Sequence, residues 1–175
     1  MTSSEALLTV LDTNIVLDLW IFDDPRTAGL RQALQQGRLR WIATASMREE
    51  LRRVLQYPHL VARMQTTGRA GEAVLQAFDT QAELRDDAPK APCTCKDPDD
   101  QKFIDLAVAH RALLLSKDAQ VLCMRRRLER VGVTLNPHIK APPGFVVEEA
   151  QQAFYAGLFQ VHRNADTAAE TALAA

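Results

Sequence analysis

The sequence predicts an α/β fold: a three-layer α/β/α arrangement around a central parallel sheet. Short apolar runs at 7–11, 41–43, 112–116 and 133–135 alternate with stretches of helical periodicity, as in strands joined by helical crossovers. Four acids far apart in the chain, Asp12, Glu50, Asp100 and Asp118, fall at or just beyond strand-to-helix switches. In open α/β sheets the functional crevice lies at the carboxyl ends of the strands.

Residues 7–11 read as a buried strand ended by Asp12-Thr13-Asn14, and 14–22 as an apolar helix broken at Asp23-Asp24-Pro25. A second helix is expected from Thr27 to Gln36, stopping at Gly37. After the strand 41–43, Ser46 with Glu49 three residues on reads as a capping box for a helix reaching Gln56. Residues 59–67 and 70–85 read as helices separated by Gly68, and 86–98, with three prolines, as a loop. Helix 99–111, strand 112–116, helix 118–130 and a short strand 133–135 complete the folded part. The domain is assigned to residues 1–140. Residues 141–175 are expected to add a helix from Val146 to Phe159 and a disordered Ala/Thr/Glu tail.

A chain of 175 residues has room for one core of this kind. The formal charge of −1 excludes a protein that coats nucleic acid by net charge alone. That charge is unevenly spread: nine arginines face only Glu49 and Glu50 between positions 26 and 69, whereas eight acids face four bases between 79 and 105. A basic flank beside an acidic pocket suits an enzyme acting on a polyanion. The N-terminus lacks the basic region of a secretory signal, and no apolar run approaches a membrane span. Three cysteines, an odd number, suit a reducing cytoplasm better than a disulfide framework.

Helical phase separates inward from outward acids. Glu50 lies along the stripe Met47, Leu51, Val54, while Glu49 points with Arg52 and Arg53 toward water. Asp100 starts the face carried on by Ile104 and Ala107, and Asp105 falls outside it. Asp97 or Asp99 is expected to cap that helix, with both as auxiliary candidates. Asp12 and Asp118 can serve as N-caps or face the pocket. Four such acids converging need a cation, most simply a divalent metal, and carboxylates suit hard Mg²⁺ or Mn²⁺ rather than thiophilic ions.

The ordered set Val10-Leu11-Asp12-Thr13-Asn14, Glu50-Leu51, Asp97-Pro98-Asp99-Asp100-Gln101-Lys102-Phe103-Ile104-Asp105-Leu106-Ala107 and Leu115-Ser116-Lys117-Asp118 resembles a PIN domain. More narrowly it resembles the toxin components of bacterial toxin–antitoxin systems, related to VapC-type ribonucleases. The resemblance spans residues 7–139 and implies metal-dependent hydrolysis of RNA phosphodiesters. It gives Asp12, Glu50, Asp100 and Asp118 the acidic, metal-holding and catalytic roles, and Asn14 and Ser116 the supporting polar ones. It also implies a small antitoxin partner and a homodimer. The closing segment reads Ala141-Pro142-Pro143-Gly144-Phe145, lacking the threonine common in that branch. Arg48, Arg52 and Arg53, beside Glu50, are the candidate contacts to the RNA backbone. A receiver-like phosphotransfer module would need an acidic pair at the first strand, and a haloacid-dehalogenase phosphatase an Asp-x-Asp; Asp12-Thr13-Asn14 supplies neither. An RNA-processing nuclease without an antitoxin, and a non-catalytic PIN-like binding module, stand as the alternatives.

Overall fold

A computed structural model describes residues 6–24 and 27–136. Four strands form its centre: β1 (Leu7–Leu11), β2 (Leu39–Thr44), β3 (Glu83–Arg85) and β4 (Leu113–Leu115). They lie in the order β3-β2-β1-β4, and every pairing is parallel. Parallel neighbours cannot be joined by a tight hairpin, so helices fill the connections. α1 (Thr13–Leu17) runs on into a π-helical segment (Asp18–Phe22), and α2 (Ala28–Gln35) leads to β2. α3 (Ala45–Val54), α4 (Pro58–Thr67) and α5 (Gly71–Gln81) lead to β3; α6 (Gln101–His110) leads to β4; α7 (Ala119–Leu122) and α8 (Arg125–Arg130) follow. The chain moves outward from β1 to β3, then returns to place β4 on the other side of β1. This reversal puts the switch point between β1 and β4, where α/β sheets carry their sites.

The central strands are apolar because both faces are covered. Val10, Leu11, Ile42, Ala43, Leu114 and Leu115 are all buried. Trp41 of β2 stacks on Trp20 with ring centroids 5.5 Å apart and meets the edge of Phe78 at 4.8 Å. This aromatic trio fastens the π-helical segment and α5 to the same sheet face. No helix among the described residues is long and apolar enough to cross a membrane.

Several local expectations give way to tertiary structure. The helix expected over 70–85 stops at Gln81, and Glu83–Arg85 form an edge strand instead. Pairing with β2, together with a bidentate Arg40–Glu83 contact at 2.7 and 2.6 Å, outweighs local helix propensity there. Thr44, not Ser46, caps α3: its side chain accepts from the Met47 amide at 3.3 Å. Ser46 donates to Asp87 at 2.7 Å, and Glu49 is taken by Arg52, so the expected capping box does not form. The helix expected over 118–130 breaks at Cys123 and Met124, although Val121, Met124 and Leu128 keep one buried face across the break. The strand expected at 133–135 is a single bridge, Leu114 to Leu135. Asn136 turns to a left-handed φ of 47° and ends it. The helix and tail assigned to 146–175, and the 141–145 closing segment, lie outside the described residues.

Candidate active site

Asp12 leaves the carboxyl end of β1 and is only 4 % exposed. Its backbone N–H donates to the Leu115 carbonyl at 2.9 Å, carrying the β1–β4 pairing one residue beyond the strand. The side chain makes no capping bond to α1. Instead its Oδ2 accepts from Asn14 Nδ2 at 2.9 Å and from the hydroxyl of Ser116. The Ser116 hydroxyl accepts from the Asp118 amide at 3.0 Å, and Asn14 Oδ1 accepts from the Lys117 amide at 3.2 Å. Asn14 and Ser116 therefore stitch the loop after β1 to the loop after β4, with Asp12 held between them.

Ser116 is itself fixed by Asn136. The Asn136 carboxamide accepts from the Ser116 amide at 3.0 Å and donates to its carbonyl at 2.8 Å, all four groups buried. A side chain thus replaces the strand that would otherwise pair there. The Asn136-Pro137 turn signal marks the position in sequence, but nothing local says that the carboxamide folds back onto β4.

The remaining acids arrive from helices. Glu50 projects from α3 with its side chain 15 % exposed. Its Oε1 accepts from the Thr13 hydroxyl at 2.7 Å, and the Lys102 ammonium lies against Oε2 as an ion pair without hydrogen-bonding geometry. Asp118 precedes α7 and caps it, accepting from the Gln120 amide at 2.7 Å. Asp100 occupies the N-cap position of α6 without a side-chain capping bond. Its Oδ2 is buried and has no hydrogen-bond partner.

Neither Asp97 nor Asp99 caps α6, contrary to expectation. Asp97 Oδ1 accepts from the Asp99 amide at 2.9 Å, closing a turn on the exposed surface. Asp105, expected to face water, is half-buried and holds the preceding loop: its Oδ1 accepts from the Ala91 amide at 2.8 Å and from Gln101 Nε2 at 2.7 Å. The flanking arginines are partly spoken for. Arg48 forms a bidentate pair with Asp79 at 2.5 and 2.7 Å, and Arg52 one with Glu49 at 2.8 and 2.5 Å. Arg53 is exposed on the same helix.

Burial and mutual repulsion leave Asp12 and Asp100 reluctant to ionise. Burial pushes Asp12 above its ordinary range, opposed by the Ser116 and Asn14 hydrogen bonds and reinforced by the charges of Glu50 and Asp118. Asp100 is pushed from 3.8 to about 7, first by burial and then by the charges of Asp12, Asp118, Asp97 and Glu50. A set of acids that repel one another, one with an orphaned buried oxygen, is a site short of positive charge. Among the described residues no three Asp, Glu, His or Cys side chains already converge into a metal-holding set. The all-oxygen donors and the free Oδ2 of Asp100 nevertheless fit a hard divalent cation.

A family model for the PIN domain matches residues 9–120, a span that contains all four acids. The chain belongs to the PIN domain family. PIN domains are generally nucleases, which makes this a nuclease-type, hydrolytic fold with nucleic acid as the implied substrate. No curated protein matches the chain. Sequence pattern alone does not single out Thr13, Lys102 or Asn136. Thr13 and Lys102 stand inside the quoted motifs, yet only the fold shows that both meet Glu50. Lys117 is turned away, with its ammonium on the buried Asp18 carboxylate.

Proposed function

We propose that this protein is a divalent-metal-dependent endoribonuclease, using Mg²⁺ or Mn²⁺ held by Asp12, Asp100, Asp118 and Glu50. The observation that carries this reading is the Asp100 carboxyl: its Oδ2 is buried without a partner, and it is raised to about 7 first by burial and then by the charges of Asp12, Asp118, Asp97 and Glu50. A bound Mg²⁺ or Mn²⁺ supplies a water of lowered pKa and neutralises charge on the phosphate oxygens. The protein's own part is positioning. Ser116 and Asn14 aim Asp12 by holding its Oδ2. Asp118 is held by the Gln120 amide of α7, from which its Oδ1 accepts. Glu50, steadied by Thr13, is the acid placed to orient an attacking water.

Nucleic-acid contact falls to the arginine face of α3. Arg53 is the readiest residue, because Arg48 and Arg52 must first leave Asp79 and Glu49. The motif resemblance supports a toxin of a toxin–antitoxin pair, acting in the cytoplasm as a homodimer and neutralised by a small antitoxin. The rival reading is an RNA-processing nuclease without such a partner. Growth arrest on expression, relieved by a neighbouring small gene, separates the two.

The central test is cleavage of a pool of single-stranded and structured RNA with Mn²⁺, with Mg²⁺ and with chelator, alongside Asp12→Asn. Expected is metal-dependent cleavage, lost by at least a hundredfold in the variant. Equal cleavage by both proteins, or cleavage in chelator, refutes the assignment. A non-catalytic binding module would bind RNA and cut it under no condition.

A further inference from the structure

The four acids of the site draw on one cation among the described residues. Lys102 Nζ rests on Glu50 Oε2 and also donates to the Asp99 carbonyl, while lying 5.1 Å from the centre of the Phe103 ring. These contacts tether the ammonium at the rim of the site, with the lysine side chain 23 % exposed. The Glu50 oxygen it covers has no hydrogen bond of its own, and the other Glu50 oxygen is held by Thr13. Lys117, the other nearby lysine, is committed to Asp18. Glu50 thus has both oxygens engaged by the protein.

We propose that Lys102 is a built-in counter-cation that competes with the divalent ion for Glu50, and so sets the concentration at which the site loads. This rests on the metal reading of the site given above. A part-buried carboxylate left unpaired is costly, so the lysine stabilises the metal-free fold. An incoming divalent ion must first displace that lysine, and its apparent affinity is reduced by whatever the pairing contributes.

The test is isothermal calorimetry of Mn²⁺ binding to the full chain, with melting temperature with and without Mn²⁺ as a second readout. Lys102→Met is expected to bind Mn²⁺ about tenfold more tightly than wild type, to melt lower without metal and to gain more on its addition. Lys102→Arg keeps the charge and stays near wild type. Lys117→Met removes a neighbouring charge without touching the acids, and is expected to change affinity by less than about threefold. Equal or weaker Mn²⁺ binding by Lys102→Met overturns the proposal, as does equal tightening by Lys117→Met. Failure of wild type and Lys102→Met alike to take up Mn²⁺ overturns the metal reading itself.

Discussion

Replacing Asp100 by Asn should make the metal-free protein more stable, and the gain should appear only as pH rises. The folded carboxyl is held at about 7 against an ordinary 3.8. A group raised in the folded state contributes full stability below its unfolded value and loses it as pH climbs through the folded one. Near pH 4 wild type and variant therefore carry no difference from this source. Between pH 4 and 7 the unfolded chain releases a proton that the folded chain retains, and stability falls. Each tenfold change in proton affinity is about 1.4 kcal/mol, so the loss is capped at about 4 kcal/mol. The side chain is only half-buried and its neighbours relax, so solvent screening lowers the expected figure to about 1–2 kcal/mol at pH 8. Asparagine cannot ionise and should escape the loss. The assay is urea unfolding of both proteins in chelator at pH 5, 6, 7 and 8, comparing midpoints at constant slope. A difference that does not vary with pH, or a variant less stable at pH 8, refutes the picture of an uncompensated buried acid. Because the same substitution removes a proposed metal carboxylate, nuclease activity should fall while stability rises.

Other perturbations address separate parts of the molecule. Asn136→Ala removes both buried hydrogen bonds to the Ser116 backbone and should cost about 1–3 kcal/mol in unfolding, with RNA cleavage reduced because Ser116 aims Asp12. Unchanged stability would mean the carboxamide is dispensable to β4. Arg53→Ala should reduce the salt dependence of RNA binding by about one counterion, whereas Arg48→Ala, whose arginine is paired with Asp79, should leave the slope nearly unchanged. Equal effects would show that the Arg48 pair opens on binding. Trp41→Ala breaks the stack on Trp20 and the contact with Phe78. It should cost about 3–5 kcal/mol, read as a fall in melting temperature of roughly 10 °C; a loss below about 1 kcal/mol would mean that the trio does not anchor the sheet face.

The parallel sheet was legible because β1 and β4 read as short apolar runs, and β2 carries the apolar run Trp41-Ile42-Ala43. β3 was not, since Glu83-Leu84-Arg85 has no strand signature and exists through its pairing with β2. The inward placement of Glu50 on α3 and of Asp100 at the start of α6 was readable from helical phase, because apolar stripes lie beside them. The partners of those acids were less so. Thr13 and Lys102 sit next to site residues in sequence, but their meeting with Glu50 joins β1, α3 and α6. Likewise, pairing of Arg48 with Asp79 depends on how α5 lies along α3. Local pattern shows which face a residue occupies, and packing decides what stands opposite.

The placement of β4 against β1 also governs when the site can come into being. Ser116 and Asp12 are 104 positions apart in the chain, yet share a hydrogen bond. Contacts of such sequence separation form slowly, because the intervening chain must be closed before they stabilise anything. Every partly folded form in which β4 has not docked therefore lacks Ser116, Asp118 and the anchoring of Asp12 together. Hydrolytic competence should be all-or-none during refolding, returning at the rate of the last strand and never ahead of it. For a protein that cuts nucleic acid, this couples reactivity to a finished, single conformation and leaves its folding intermediates harmless.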